Sequence, residues 1–82
     1  MNLSEYIKEQ AKSSACSKKL VEELKKFSTD EEFIAGVLLD VENEEDKKAL
    51  LEYIERRIDV DYSQILLNSL WLYQQRYGED AE

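Results

Sequence analysis

Hydrophobic residues recur at three- and four-residue intervals through most of this chain, and no proline interrupts them. That is the helix period: 3.6 residues per turn bring positions i, i+3, i+4 and i+7 onto one face. Long strand-like alternation is absent, and the only glycines are Gly36 and Gly78. The spacing predicts an all-α fold, and helix-start signals divide the chain into segments.

Asn2 is the first cap, with Glu5 three residues on as its capping-box partner. Leu3, Ile7 and Ala11 share a stripe, with Tyr6 beside it. Residues 11–17 are rich in Ser and Ala, and a break is predicted near residues 13–17. Ser17 would then cap a second helix carrying Leu20, Val21, Leu24 and Phe27; one continuous helix over residues 3–27 is the alternative. Ser28 and Thr29 satisfy the N-cap rule for a third helix, with Glu31 and Glu32 three residues later. It carries Phe33, Ile34, Val37 and Leu38 and ends near Asp40 or Val41. Gly36, costly inside a helix, is expected to admit a close neighbour. Asn43 caps a fourth helix whose first turn, Glu44, Glu45 and Asp46, suits the positive end of the helix dipole. Its buried stripe is Leu50, Leu51, Ile54 and Ile58, with Glu52–Arg56 as an outer ion pair.

Asp61 caps the last helix, with Gln64 at the reciprocal position and Val60 and Ile65 as a hydrophobic staple. Arg76 and Gly78 mark its end. Tyr62, Leu66, Leu70, Tyr73 and Tyr77 occupy one arc of this helix, and Leu67 and Trp71 lie roughly opposite. A helix apolar on more than one side is either central or displays a second face to a partner. The central position is the expectation, with Leu66, Leu70 and Tyr73 in the core. The whole predicts a small bundle of four to five antiparallel helices with short loops, one domain over residues 1–82 with a frayed tail at 79–82.

Charge is unevenly distributed. The net charge is −8, yet residues 1–27 carry a net +2 and residues 28–82 a net −10. Residues 28–46 alone hold Asp30, Glu31, Glu32, Asp40, Glu42, Glu44, Glu45 and Asp46 with no basic residue. An acidic surface argues against direct nucleic-acid binding, which needs lysine and arginine to neutralise phosphates. A helix–turn–helix reading of residues 33–58 fails for the same reason, because its second helix would open on three carboxylates. No run of about 18 apolar residues exists to span a membrane, and residues 1–5, neither basic nor followed by an apolar stretch, are not expected to act as a cleaved secretion signal. With Cys16 as the only cysteine, no disulfide forms within the chain; a half-buried thiol in the cytoplasm is expected.

Few chemistries remain open. There is no histidine, the commonest general base and metal ligand. Read as an EF-hand from Asp40, the sequence gives Glu45 at position 6 and Leu51 at position 12, where glycine and glutamate are required. From Asp59 the same positions hold Gln64 and Leu70. Asp59 and Asp61 form the only close carboxylate pair in a predicted loop, and helix capping accounts for them. Phosphate-binding glycine loops and paired cysteines are absent. No catalytic residue, metal site or cofactor is therefore expected.

The expectation is a non-enzymatic protein-binding module of inhibitor, immunity or adaptor type, docking on a basic partner surface. Its contacts would be Asp30, Glu31, Glu32, Asp40, Glu42, Glu44, Glu45 and Asp46, with Leu67 and Trp71 as apolar anchors. Two alternatives stand beside it. One is a nucleic-acid mimic whose carboxylates line one face; the other is a homodimer joined through Leu67 and Trp71.

Overall fold

The computed structural model describes residues 2–56 and 60–78. They form five helices: α1 (Leu3–Ser13), α2 (Ala15–Phe27), α3 (Glu31–Asp40), α4 (Glu44–Arg56) and α5 (Tyr62–Tyr77). The main helix contacts run α1–α2–α4–α5–α3 and back to α1, with α2 also touching α3. Inside this ring Leu20, Leu24, Val37, Leu38, Val41, Leu50 and Ile65 are fully buried. The result is a small all-α bundle, as the spacing predicts. Ile58, the Asp59 half of the loop pair and the expected frayed tail at 79–82 lie outside the described residues.

The ends of the helices follow local chemistry. Asn2 Oδ1 accepts the Glu5 N–H at 2.9 Å, and Asn43 Oδ1 accepts the Glu45 N–H at 2.9 Å. Asp61 and Gln64 complete a reciprocal capping box at 3.0 and 3.1 Å. The break between the first two helices is a single extended residue, Ser14, whose hydroxyl accepts the Ser17 N–H at 3.0 Å. The cap of α2 is thus Ser14 rather than Ser17, which is buried one turn in. Ser28 closes α2 by giving its N–H to the Leu24 carbonyl, so the cap of α3 falls on Asp30 instead of Ser28 or Thr29.

Two glycine expectations change. An added Cβ at Gly36 would meet nothing within 4 Å, so no helix packs close against it. Gly78 does end α5, but with right-handed backbone angles that any residue adopts.

The largest correction concerns α5. It is not the central helix; α3 is more deeply set, burying Phe33, Ile34, Ala35, Val37 and Leu38. Helix α5 buries only Ile65 and Ser69. Its inward stripe is Ile65, Ser69 and Leu72, at intervals of four and three, and, one turn on, the exposed Arg76 reaches back from the same side to α4. Leu66, Leu70 and Tyr73, expected in the core, are exposed. Two polar contacts accompany this rotation. Ser69 Oγ donates to the Leu66 carbonyl of its own helix at 2.9 Å and shares that proton with Asp40 Oδ2 on α3 at 3.3 Å. Arg76 grips Asp46 on α4 through two hydrogen bonds, Nε–Oδ2 at 2.7 Å and Nη2–Oδ1 at 3.1 Å.

Candidate functional site

Turning α5 by roughly a quarter of its circumference leaves its apolar arc outside. Tyr62, Leu66, Leu67, Leu70, Trp71, Tyr73 and Tyr77 are all exposed, Leu67 at 67 % and Trp71 at 55 %. These side chains separate into two sides. Tyr62 meets Phe33 of α3 edge-to-face, ring centroids 5.7 Å apart. That contact places Tyr62, Leu66, Leu70, Tyr73 and Tyr77 on the α3 side, since they share one helical arc. Trp71 lies on the α4 side. There it lines an open groove of about 430 Å³ with Ala49, Tyr53, Asn68 and Leu72. Glu52 and Arg56, 3.5 Å apart, flank that groove with opposite charges.

The acidic stretch does not form one row. Asp30, Glu31 and Glu32 open α3, and Glu44 and Glu45 open α4 beyond its far end; all five are exposed. A ten-residue helix separates these groups by about 15 Å. Glu42 is exposed in the connection, but Asp40 is half-buried and Asp46 is 7 % exposed. Asp46 is occupied by Arg76, which also lies 3.8 Å from Glu45. That hydrogen bond with Asp46 holds the guanidinium above its usual range. Burial pushes the Asp40 carboxyl up from the ordinary aspartate value, and the Ser69 hydroxyl partly offsets this. Two of the candidate contact carboxylates are therefore engaged inside the fold. Nucleic-acid mimicry would need Asp30, Glu31, Glu32, Asp40, Glu44, Glu45 and Asp46 on one exposed face, and Asp40 and Asp46 are drawn into the fold instead.

Lys47, which follows the three carboxylates that open α4, is only 4 % exposed. Its ammonium donates to Ser17 Oγ at 2.7 Å and lies 3.5 Å from Glu44. Because Ser14 also bonds Glu44 at 3.0 Å, the α1–α2 corner is tied to the first turn of α4. Cys16, half-buried beside this knot, has its thiol pushed up, first by burial and then by Glu44.

Comparison with family models, with curated proteins and with solved structures returns no match. Among the described residues no group of three or more cysteine, aspartate or glutamate side chains is arranged to hold a metal ion. Also among these residues, no helix is long and apolar enough to cross a membrane. The candidate site is thus a surface, built from the outer side of α5 and the carboxylates that open α3 and α4.

Proposed function

We propose that this chain is a non-enzymatic protein-binding module of inhibitor, immunity or adaptor type, which docks on a basic partner surface in the cytoplasm. The observation that carries the reading is the exposure of Leu67 and Trp71 on a helix held in place from behind by Asp40 and Asp46. Tryptophan is enriched among interface hot spots, and Trp71 borders an open groove. The exposed carboxylates Asp30, Glu31, Glu32, Glu42, Glu44 and Glu45 supply the field. A net charge of −8 steers a basic partner toward the surface and repels acidic ones. Asp46 acts indirectly in this scheme, by fixing the rotation of α5.

The test is capture of partners from the native host with the purified chain as bait, followed by kinetics on the captured partner. Raising salt from about 0.1 M to about 1 M shortens the screening length from roughly 10 to 3 Å, and association is expected to slow at least about tenfold. Trp71→Ala is expected to weaken affinity by about thirtyfold or more, the size of a hot-spot loss. Salt-independent association together with an unaffected Trp71→Ala variant would refute the reading.

A further inference from the structure

We propose that two copies of this chain pair through α5, antiparallel about a two-fold axis, along the seam Leu66, Leu70, Tyr73 and Tyr77. This is the α3-side arc, separate from the Trp71 groove to which partner binding is assigned above. The four seam residues follow at intervals of four, three and four, the spacing with which two helices pack side by side. Each is between 36 % and 45 % exposed.

A second copy fits this surface better than a charged partner. Arg76 is the only Asp, Glu, Lys or Arg between Tyr62 and Tyr77, and its guanidinium is paired with Asp46. The positions flanking the seam are Leu67 and Gln74 on one edge and Ser69 and Arg76 on the other. No carboxylate of α5 would therefore face its own copy, although the chain as a whole is acidic.

The order of the seam is self-complementary in one direction only. An axis midway between residues 71 and 72 sets Leu66 against the second copy's Tyr77, and Leu70 against its Tyr73. Each leucine then fills the space beside a tyrosine ring, and the phenol oxygens stay at the wet margin. A parallel pairing would stack tyrosine on tyrosine and leucine on leucine. The rings of Tyr73 and Tyr77 already touch, centroids 4.9 Å apart, so little side-chain freedom remains to be lost on pairing.

With a large side chain presenting on the order of 200 Å² when fully exposed, Leu66, Leu70, Tyr73 and Tyr77 leave roughly 300–350 Å² open per copy. Two copies would bury about 600–700 Å² along the seam, the scale of a weak, transient contact. Such a dimer is expected to form reversibly at high micromolar to millimolar concentration. Because two acidic chains repel, added salt should strengthen it, the opposite of its effect on docking to a basic partner.

Sedimentation velocity over roughly 1 µM to 1 mM protein tests the pairing. The expected result is a mass rising from one chain toward two, at lower concentration when salt is raised. Leu70→Asp is expected to weaken pairing at least about a hundredfold by burying a charge at the axis, with an unchanged helical circular-dichroism spectrum. Trp71→Ala should still pair. A wild-type chain that stays monomeric at about 1 mM in high salt overturns the proposal. So does pairing that survives Leu70→Asp in a folded variant. If Leu70→Asp fails to fold, concentration-dependent amide shifts of the wild-type chain decide: shifts along residues 66–77 support the seam, and shifts centred elsewhere refute it. A monomer would leave the Trp71 reading standing, and loss of that reading would leave the dimer standing.

Discussion

If α5 is rotated as described, alanine at Ile65 and alanine at Leu70 should cost very different amounts. Both changes remove three carbons. At about 0.8 kcal/mol per buried carbon, full burial of that group is worth roughly 2.4 kcal/mol. Ile65 has no exposed surface, so its loss also leaves a cavity, and the sum reaches about 3–4 kcal/mol. Better helix propensity of alanine returns only a few tenths. Leu70 is 44 % exposed; roughly half of the transfer term applies, solvent fills the space, and about 1 kcal/mol remains. For a domain of this size, 1 kcal/mol moves Tm by roughly 4–8 °C. Ile65→Ala should then lower Tm by roughly 12–30 °C and Leu70→Ala by roughly 4–8 °C. Urea unfolding followed by circular dichroism measures the same difference in free energy, provided the slope with denaturant is unchanged. Were α5 the central helix with its Leu66–Leu70–Tyr73 arc inside, the order would reverse. Equal costs, or a larger one at Leu70, would refute the rotation of α5 and with it the exposed surface on which both functional readings stand.

Other consequences are equally direct. Ser17→Ala strips the acceptor from the buried Lys47 ammonium and should cost about 1–3 kcal/mol; Lys47→Met in the same background should recover part of that loss, and additive costs in the double-mutant cycle would show that the bond is not coupled. Tyr6 Oη is buried without a hydrogen-bond partner among the described residues, so Tyr6→Phe should leave stability unchanged or raise it by up to about 1 kcal/mol. Asp40 has a folded-state pKa raised by burial, so folding binds protons there; its contribution is fully present below the ordinary aspartate value and is lost as pH rises through the raised value. Asp40→Asn should therefore stabilise most at neutral pH, with the advantage fading on acidification, and a gain that grows toward low pH would contradict the burial effect.

Features set by neighbours within four residues were legible in the sequence. The caps at Asn2, Asn43 and Asp61 and the Glu52–Arg56 pair depend on spacings of two, three or four, and the structure contains each of them. The break near residues 13–17 was legible too, because three serines offer the backbone bonds that compete with a helix. Its position was not, since Ser14 and Ser17 satisfy the same rule and only the burial of Ser17 against Lys47 separates them. Capping ambiguity likewise moved the start of α3 from Ser28 or Thr29 to Asp30. What lay beyond local reading was the identity of the acids that leave the surface. Asp46 belongs to an unbroken run of carboxylates, and nothing nearby distinguishes it from Glu44 or Glu45. Its partner, Arg76, is thirty residues away.

The orientation of α5 shows why periodicity alone misplaces such a helix. Between residues 62 and 77 apolar side chains cover most of the circumference, so a hydrophobic stripe can be drawn in more than one direction. Burial by itself would favour the richest arc, Leu66, Leu70, Tyr73 and Tyr77. Instead the helix turns inward a stripe containing a serine, with Arg76 reaching back from its end, because Asp46 waits on α4. A carboxylate with so little exposure cannot be left without its counter-charge, whereas an exposed leucine costs little. The tie to Asp46 therefore outranks the apolar arc. Roughly 500–600 Å² of hydrophobic surface stays in water, worth on the order of 12–15 kcal/mol at about 25 cal/mol per Å² if it were covered. A patch of this size stands at the upper end of what monomers expose, and such patches are often functional. The internal Asp46 and the external aromatics are thus two ends of one arrangement: the first holds α5 at the angle that presents the second.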